Sequence, residues 1–141
     1  MVHDTDAPVD VRRFVLALCS EVVFDKNYEN RFRSAHRDMH RFFWRLSQDP
    51  ETSRFVAGLL FDTNGSYPHC EELDELFQEL QLSGLLARPN PTYRYNDITF
   101  SAYSYVEHLM RELSTDEQAT YKKKVVDSFK RELGLHVPDE Q

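Results

Sequence analysis

Apolar residues recur at helical spacing along most of this chain. Val11, Phe14, Val15, Leu18 and Val22 fall on one side of a helix that the pattern predicts from residue 11 to about residue 23. A polar break follows over residues 25–30. A second, longer helix is predicted over residues 29–47, because Phe32, Ala35, Met39, Phe42, Phe43 and Leu46 share one apolar arc. Asp49-Pro50 ends it and opens a third helix through Phe55, Val56, Leu59 and Leu60, with Asp as N-cap and Pro at the first helical position. Residues 62–68 then read as a turn centred on Asn64-Gly65. Pro68 predicts the start of a fourth helix and Gly84 its stop.

After Gly84 the pattern becomes extended. Residues 85–88 and 93–99 predict a small β-hairpin around the stiff turn Pro89-Asn90-Pro91. Two further helices follow, one using Tyr105, Val106, Leu109 and Leu113, the other Tyr121, Val125, Phe129 and Leu133. Ser114 and Glu117 between them have capping-box spacing, and Gly134 with Pro138 closes the last helix. The expected fold class is mainly α with a small β-hairpin. A length of 141 residues fits one domain spanning 1–141, with a flexible acidic tail at 1–9 and a second flexible tail at 135–141.

The order of elements from Thr52 to Met110 resembles a winged helix-turn-helix. The likeness rests on Gly65-Ser66-Tyr67, Glu72-Leu73, Leu76, Leu80, Gly84-Leu85-Leu86, and Tyr95 with Ile98-Thr99. Such domains open the second helix at a glycine turn and end it in Gly-Leu-Leu before the wing. The resemblance implies a winged-helix-like core over residues 52–113 with additional N- and C-terminal helices. Phe100-Ser101-Ala102-Tyr103 departs from it, since many relatives place a glycine there.

Charge argues against the usual use of that fold. The chain carries 17 Lys and Arg against 24 Asp and Glu, a net charge of −7, whereas coating nucleic acid needs clustered cations. Residues 61–82, which include the recognition-helix position, hold six carboxylates and no Lys or Arg. Leu73, Leu76, Phe77 and Leu80 occupy an arc of about 100°, leaving Glu71, Glu72, Asp74, Glu75 and Glu79 around the rest. That face repels the phosphates of a major groove. Its first turn also suits the helix dipole, so a plain solvated face explains part of it.

Positive charge gathers in the second helix instead. Five Arg and one acid, with His36 and His40, lie between Arg31 and Leu46. Arg33, Arg37, Arg41 and Arg45 form a stripe, and Trp44 projects off the apolar arc among them. An aromatic among cations suits a phosphate, a nucleic-acid strand or an acidic protein surface. The alternative, common for aromatics on a helix between two layers, is burial of Trp44 against the first or last helix.

Catalytic signatures are missing. His36 and His40 have helical i, i+4 spacing, but His-Arg-Asp-Met-His lacks the glutamate of the zinc-protease signature, so no metal site is expected. No phosphate-cradling Gly-rich loop or nucleophile elbow occurs. Cys19 and Cys70 stand apart, as in a reducing, cytoplasmic setting, and the acidic N-terminus is unlike a secretory signal. The longest stretch free of Asp, Glu, Lys and Arg, residues 98–106, is far short of the about 20 residues a bilayer span needs.

The sequence therefore points to a non-catalytic interaction module without a cofactor: a winged-helix-like adaptor, inhibitor or antitoxin-type protein. Its partner-binding candidates are Arg33, Arg37, His40, Arg41, Trp44, Glu72, Glu75 and Glu79. The alternative is a nucleic-acid-binding regulator using the arginine helix or the wing, with Arg88, Tyr93, Arg94 and Tyr95 as contacts. A homodimer is compatible with both readings, a membrane partner with neither.

Overall fold

The computed structural model describes residues 9–87 and 95–138, except the side chain of His36. It is mainly helical, with a small four-stranded antiparallel sheet. Helix α1 spans Val11–Val23 and starts where Asp10 accepts backbone N–H bonds from Arg12 and Arg13 (2.9 and 3.4 Å). Strand β1 spans Tyr28–Arg33, α2 His36–Gln48 and α3 Glu71–Leu82. Strands β2 (Leu86–Ala87) and β3 (Tyr95–Ile98) follow, then α4 (Ser104–Glu112) and α5 (Thr115–Thr120). A wider π turn over Tyr121–Val126 leads from α5 into α6 (Asp127–Leu133), and β4 (Gly134–His136) completes the sheet. The order across the sheet is β2-β3-β1-β4.

The second helix is shorter than its apolar arc implies. Tyr28–Arg33 is a strand, with Phe32 fully buried between two outward arginines and paired to Asn96 in β3. Phe32 reaches the core from the sheet, where Phe77 and Phe129 lie 6.0 and 5.4 Å from its ring. Arg33 consequently belongs to β1 and does not extend the α2 stripe. The predicted third helix reduces to one 3₁₀ turn, Ser53–Val56, which seats Phe55 against Phe14 (5.1 Å, stacked). Tyr121 meets both rings at 6.4 and 5.9 Å.

The two strands expected for the hairpin pair antiparallel, Leu86 with Ile98, and the far edge of β3 pairs with β1; the turn between them lies outside the described residues. Gly84 ends α3 with φ of 78°, a left-handed conformation that suits glycine. Ser114 and Glu117 form the reciprocal capping box. Gly134 acts by close approach: a Cβ there would lie 2.5 Å from the Lys130 carbonyl and 2.8 Å from the Tyr28 ring. The expected tails are trimmed at both ends. Val9 is buried, and residues 134–137 run along β1, with the Val137 N–H bonded to the Asn27 carbonyl (2.9 Å).

Candidate functional site

Two of the recesses along α2 hold the candidate residues of that helix, and its helical period decides which side chain faces which. Met39, Phe42, Phe43 and Leu46 enter the core. Arg37, Arg41, Trp44 and Gln48 share an outward arc of about 60° at 100° per residue. His40 falls between the two sets and is buried to 1% exposure.

His40 is tied to the segment leading into α3. Its Nδ1 accepts the Cys70 backbone N–H (2.9 Å), and its Nε2 lies 2.7 Å from Asp74 Oδ1. The other Asp74 oxygen lies 2.7 Å from His69 Nε2. The two imidazoles stack in parallel, with centroids 4.7 Å apart and planes 10° apart. His69 is delivered by a short bridge in which Asp62 and His69 exchange both backbone hydrogen bonds (2.7 and 2.9 Å). One carboxylate thus joins α2, the bridge segment and the first turn of α3, as acceptor of two imidazole N–H groups.

His40, His69 and Asp74 offer metal-ligand atoms within 4.8 Å of one another. The donor set nevertheless fits a metal poorly. An amide N–H can only donate, so His40 Nδ1 must hold a lone pair and the ring proton sits on Nε2, facing Asp74. A metal-ligating histidine has the reverse arrangement, donating its remote N–H to an acceptor. Ligation through Nε2 would move the proton to Nδ1 and set it against the Cys70 N–H. The array is a hydrogen-bonded clamp, and it overturns the reading of His40 as a surface contact.

Neither thiol adds a nucleophile. Burial pushes Cys70 up to about 11 and Cys19 up to about 12, so both are protonated at neutral pH.

Beside the clamp, between α3 and the start of α2, lies a cavity of about 430 Å³. Its lining includes Ser34, Glu71, Asp74, Glu75, Gln81 and Asn96, with Met39 and Phe77 as apolar wall. Glu72 and Glu75 are exposed on α3, as expected. Glu79 instead pairs with Arg12 of α1 (3.2 Å), a companion that the sequence reading did not provide.

The second recess is an open cleft of about 820 Å³ beside the C-terminal half of α2. Trp44, Val56, Leu59, Leu60 and Phe61 line it together with the polar Ser47, Gln48, Ser53 and Thr63. Trp44 is half-buried and opposes the segment after the 3₁₀ turn, not the first or last helix; Leu60 is 75% exposed. Arg37 and Arg41 stand two turns and one turn before Trp44 on the same face and make no ion pair among the described residues. Arg45 is spent on Glu132 of α6.

Of the remaining candidates, Tyr95 is half-buried in β3, where the Arg31 guanidinium lies 5.7 Å from its ring centroid. Arg88, Tyr93 and Arg94 lie outside the described residues. His69 and Ser34 carry site geometry that the sequence reading missed. No local spacing could have found them, because His40 and Asp74 are 34 positions apart and Ser34 is marked only by its burial.

These features define a small, mainly helical protein with an acidic cavity beside His40 and an open cleft at Trp44. No family model, curated protein or solved structure matches it. No helix among the described residues is long and apolar enough to cross a membrane.

Proposed function

We propose that this protein is a non-catalytic interaction module, of the winged-helix-like adaptor or inhibitor kind, that binds a protein segment bearing apolar side chains and carboxylates. The observation that carries this reading is the cleft at Trp44. An accessible tryptophan, an exposed Leu60 and Phe61 lie side by side, and Arg37 and Arg41, without an ion pair among the described residues, continue the same helix face. Interface anchors are enriched in Trp and Arg, and an indole beside exposed aliphatic side chains and cations suits an amphipathic, acidic partner. The chemistry beside His40 supports it by contrast: a carboxylate already bonded to two imidazoles, next to a protonated thiol, supplies no activated nucleophile.

The test is selection of a random peptide library on the folded chain, with parallel selection on Trp44→Ala and on Arg37→Glu with Arg41→Glu. The reading expects peptides rich in aromatic or aliphatic residues and Asp or Glu, lost on both variants while the variants remain folded. Peptides that bind all three proteins alike, or no enrichment, would contradict it. Enrichment of DNA or RNA by the same surface in place of peptide would move the function to nucleic acid.

A further inference from the structure

The cavity under α3 has the make-up of a site for an organic cation. Glu71 and Glu75 stand one helical turn apart on its rim, and Asp74 lies between them. Among the described residues, no Lys or Arg lines the cavity. Like charges at i, i+4 repel, and neither glutamate has an ion-pair partner among the described residues. Acidic side chains alone are common on helix surfaces, but a second feature points inward. Ser34, 3% exposed, lines the same cavity, and its hydroxyl is buried without a hydrogen-bond partner. A buried, unsatisfied hydroxyl is costly unless something fills the space it faces.

The remaining walls narrow the class. Met39 and Phe77, each 6% exposed, give an apolar side suited to a methylene stem. Asn96, 1% exposed, is fixed by the Gln81 amide, which donates to its Oδ1 (2.9 Å). Among the described residues, the set close enough to share one metal ion is His40, His69 and Asp74, not the rim glutamates. The rim carboxylates therefore match a cation that offers several N–H donors from one charged end. We propose that this cavity binds an alkylammonium or alkylguanidinium group, its charged end between Glu71 and Glu75 and an N–H donated to the Ser34 hydroxyl. Such a group comes from a free amine or from a Lys or Arg side chain.

The proposal is tested by calorimetric titration of the full chain with four probes: agmatine, cadaverine, and blocked tripeptides carrying Arg or Lys at the centre. One-site, saturable binding of at least one probe is expected. Glu71→Gln with Glu75→Gln should weaken it about tenfold or more and flatten its salt dependence. Ser34→Ala should weaken it a few-fold, on the scale of one hydrogen bond, while thermal stability stays the same or rises, since an unsatisfied group is removed. Binding of the free amines alone assigns a small-molecule amine; binding of the tripeptides as well assigns a basic side chain. Failure of all four probes, or equal binding to the double variant, would overturn the proposal. Because the test does not involve Trp44, its failure leaves the protein-binding reading untouched.

Discussion

One helix contributes to two recesses that differ in charge, carboxylates lining the first and an indole with exposed aliphatic neighbours the second. On the side facing α3 the lining is polar and acidic, and the nearest helix residue, His40, is buried and satisfied at both nitrogens. At the other, Trp44 is the helix residue, Val56, Leu59, Leu60 and Phe61 alternate with Ser47, Gln48, Ser53 and Thr63, and the nearby Arg37 and Arg41 make no ion pair among the described residues. The positions are only four apart, one turn along the helix. What separates them is what the rest of the chain brings. α3 arrives with Asp74 and a rigid bridge segment, whereas the stretch after the 3₁₀ turn arrives with Leu59, Leu60 and Phe61 and leaves an open edge. The difference teaches that the larger side chain is not the structural one here: the small imidazole holds segments together and the indole faces a recess.

Substitution is the strongest way to break that comparison. His40→Ala should cost about 4 kcal/mol, since it leaves the buried Cys70 N–H and one Asp74 oxygen without their partner and opens a void. Trp44→Ala should cost about 2 kcal/mol, below the roughly 3–5 kcal/mol of a fully buried aromatic. Urea unfolding of both variants checks the order, and a costlier Trp44→Ala would reverse the assignment of roles.

A tie remote from both recesses provides a reference. Lys130 of α6 donates to Asp25 after α1 (2.8 Å), and chiefly that hydrogen bond holds the Asp25 carboxyl below its usual range. A lowered carboxyl contributes stability that is present above the unfolded pKa of about 3.9 and lost as pH falls through the folded value. Asp25→Asn should therefore lose about 1 kcal/mol at pH 7 and nothing near pH 2, read by urea unfolding across pH. The emission of Trp44 should not change.

The smallest effect belongs to the exposed acids of α3. Glu72→Gln, Glu75→Gln and Glu79→Gln together should shift stability by less than about 1 kcal/mol. The lost dipole interaction and the exposed Arg12–Glu79 pair are offset by relief of repulsion. Thermal unfolding at low and high salt should converge.

How much of this was legible in the sequence differs by element. α1, the end of α3 at Gly84 and the Ser114–Glu117 box follow from local signals, because apolar period, glycine and caps act within one or two turns. β1 did not, since Phe32 alone points inward and its spacing to Ala35 and Met39 copies a helix. The strand wins because β3 and β4 satisfy its backbone from both sides, which is a non-local fact. Trp44 was recognisable as off the core arc, and its neighbours Arg37 and Arg41 with it. The clamp and the Ser34 hydroxyl depend on chain segments meeting in space, so spacing in sequence carried no trace of them.

The central claim, that Trp44 anchors a protein partner, has a direct reporter, because the chain contains 1 Trp. Titration of the folded protein with a peptide from the library selection, followed by intrinsic fluorescence and acrylamide quenching, reads the cleft alone. The account predicts a saturable blue shift and reduced quenching as the peptide covers the indole, both lost when Arg37→Glu and Arg41→Glu are introduced. A peptide that binds while Trp44 emission and quenching stay unchanged would contradict it.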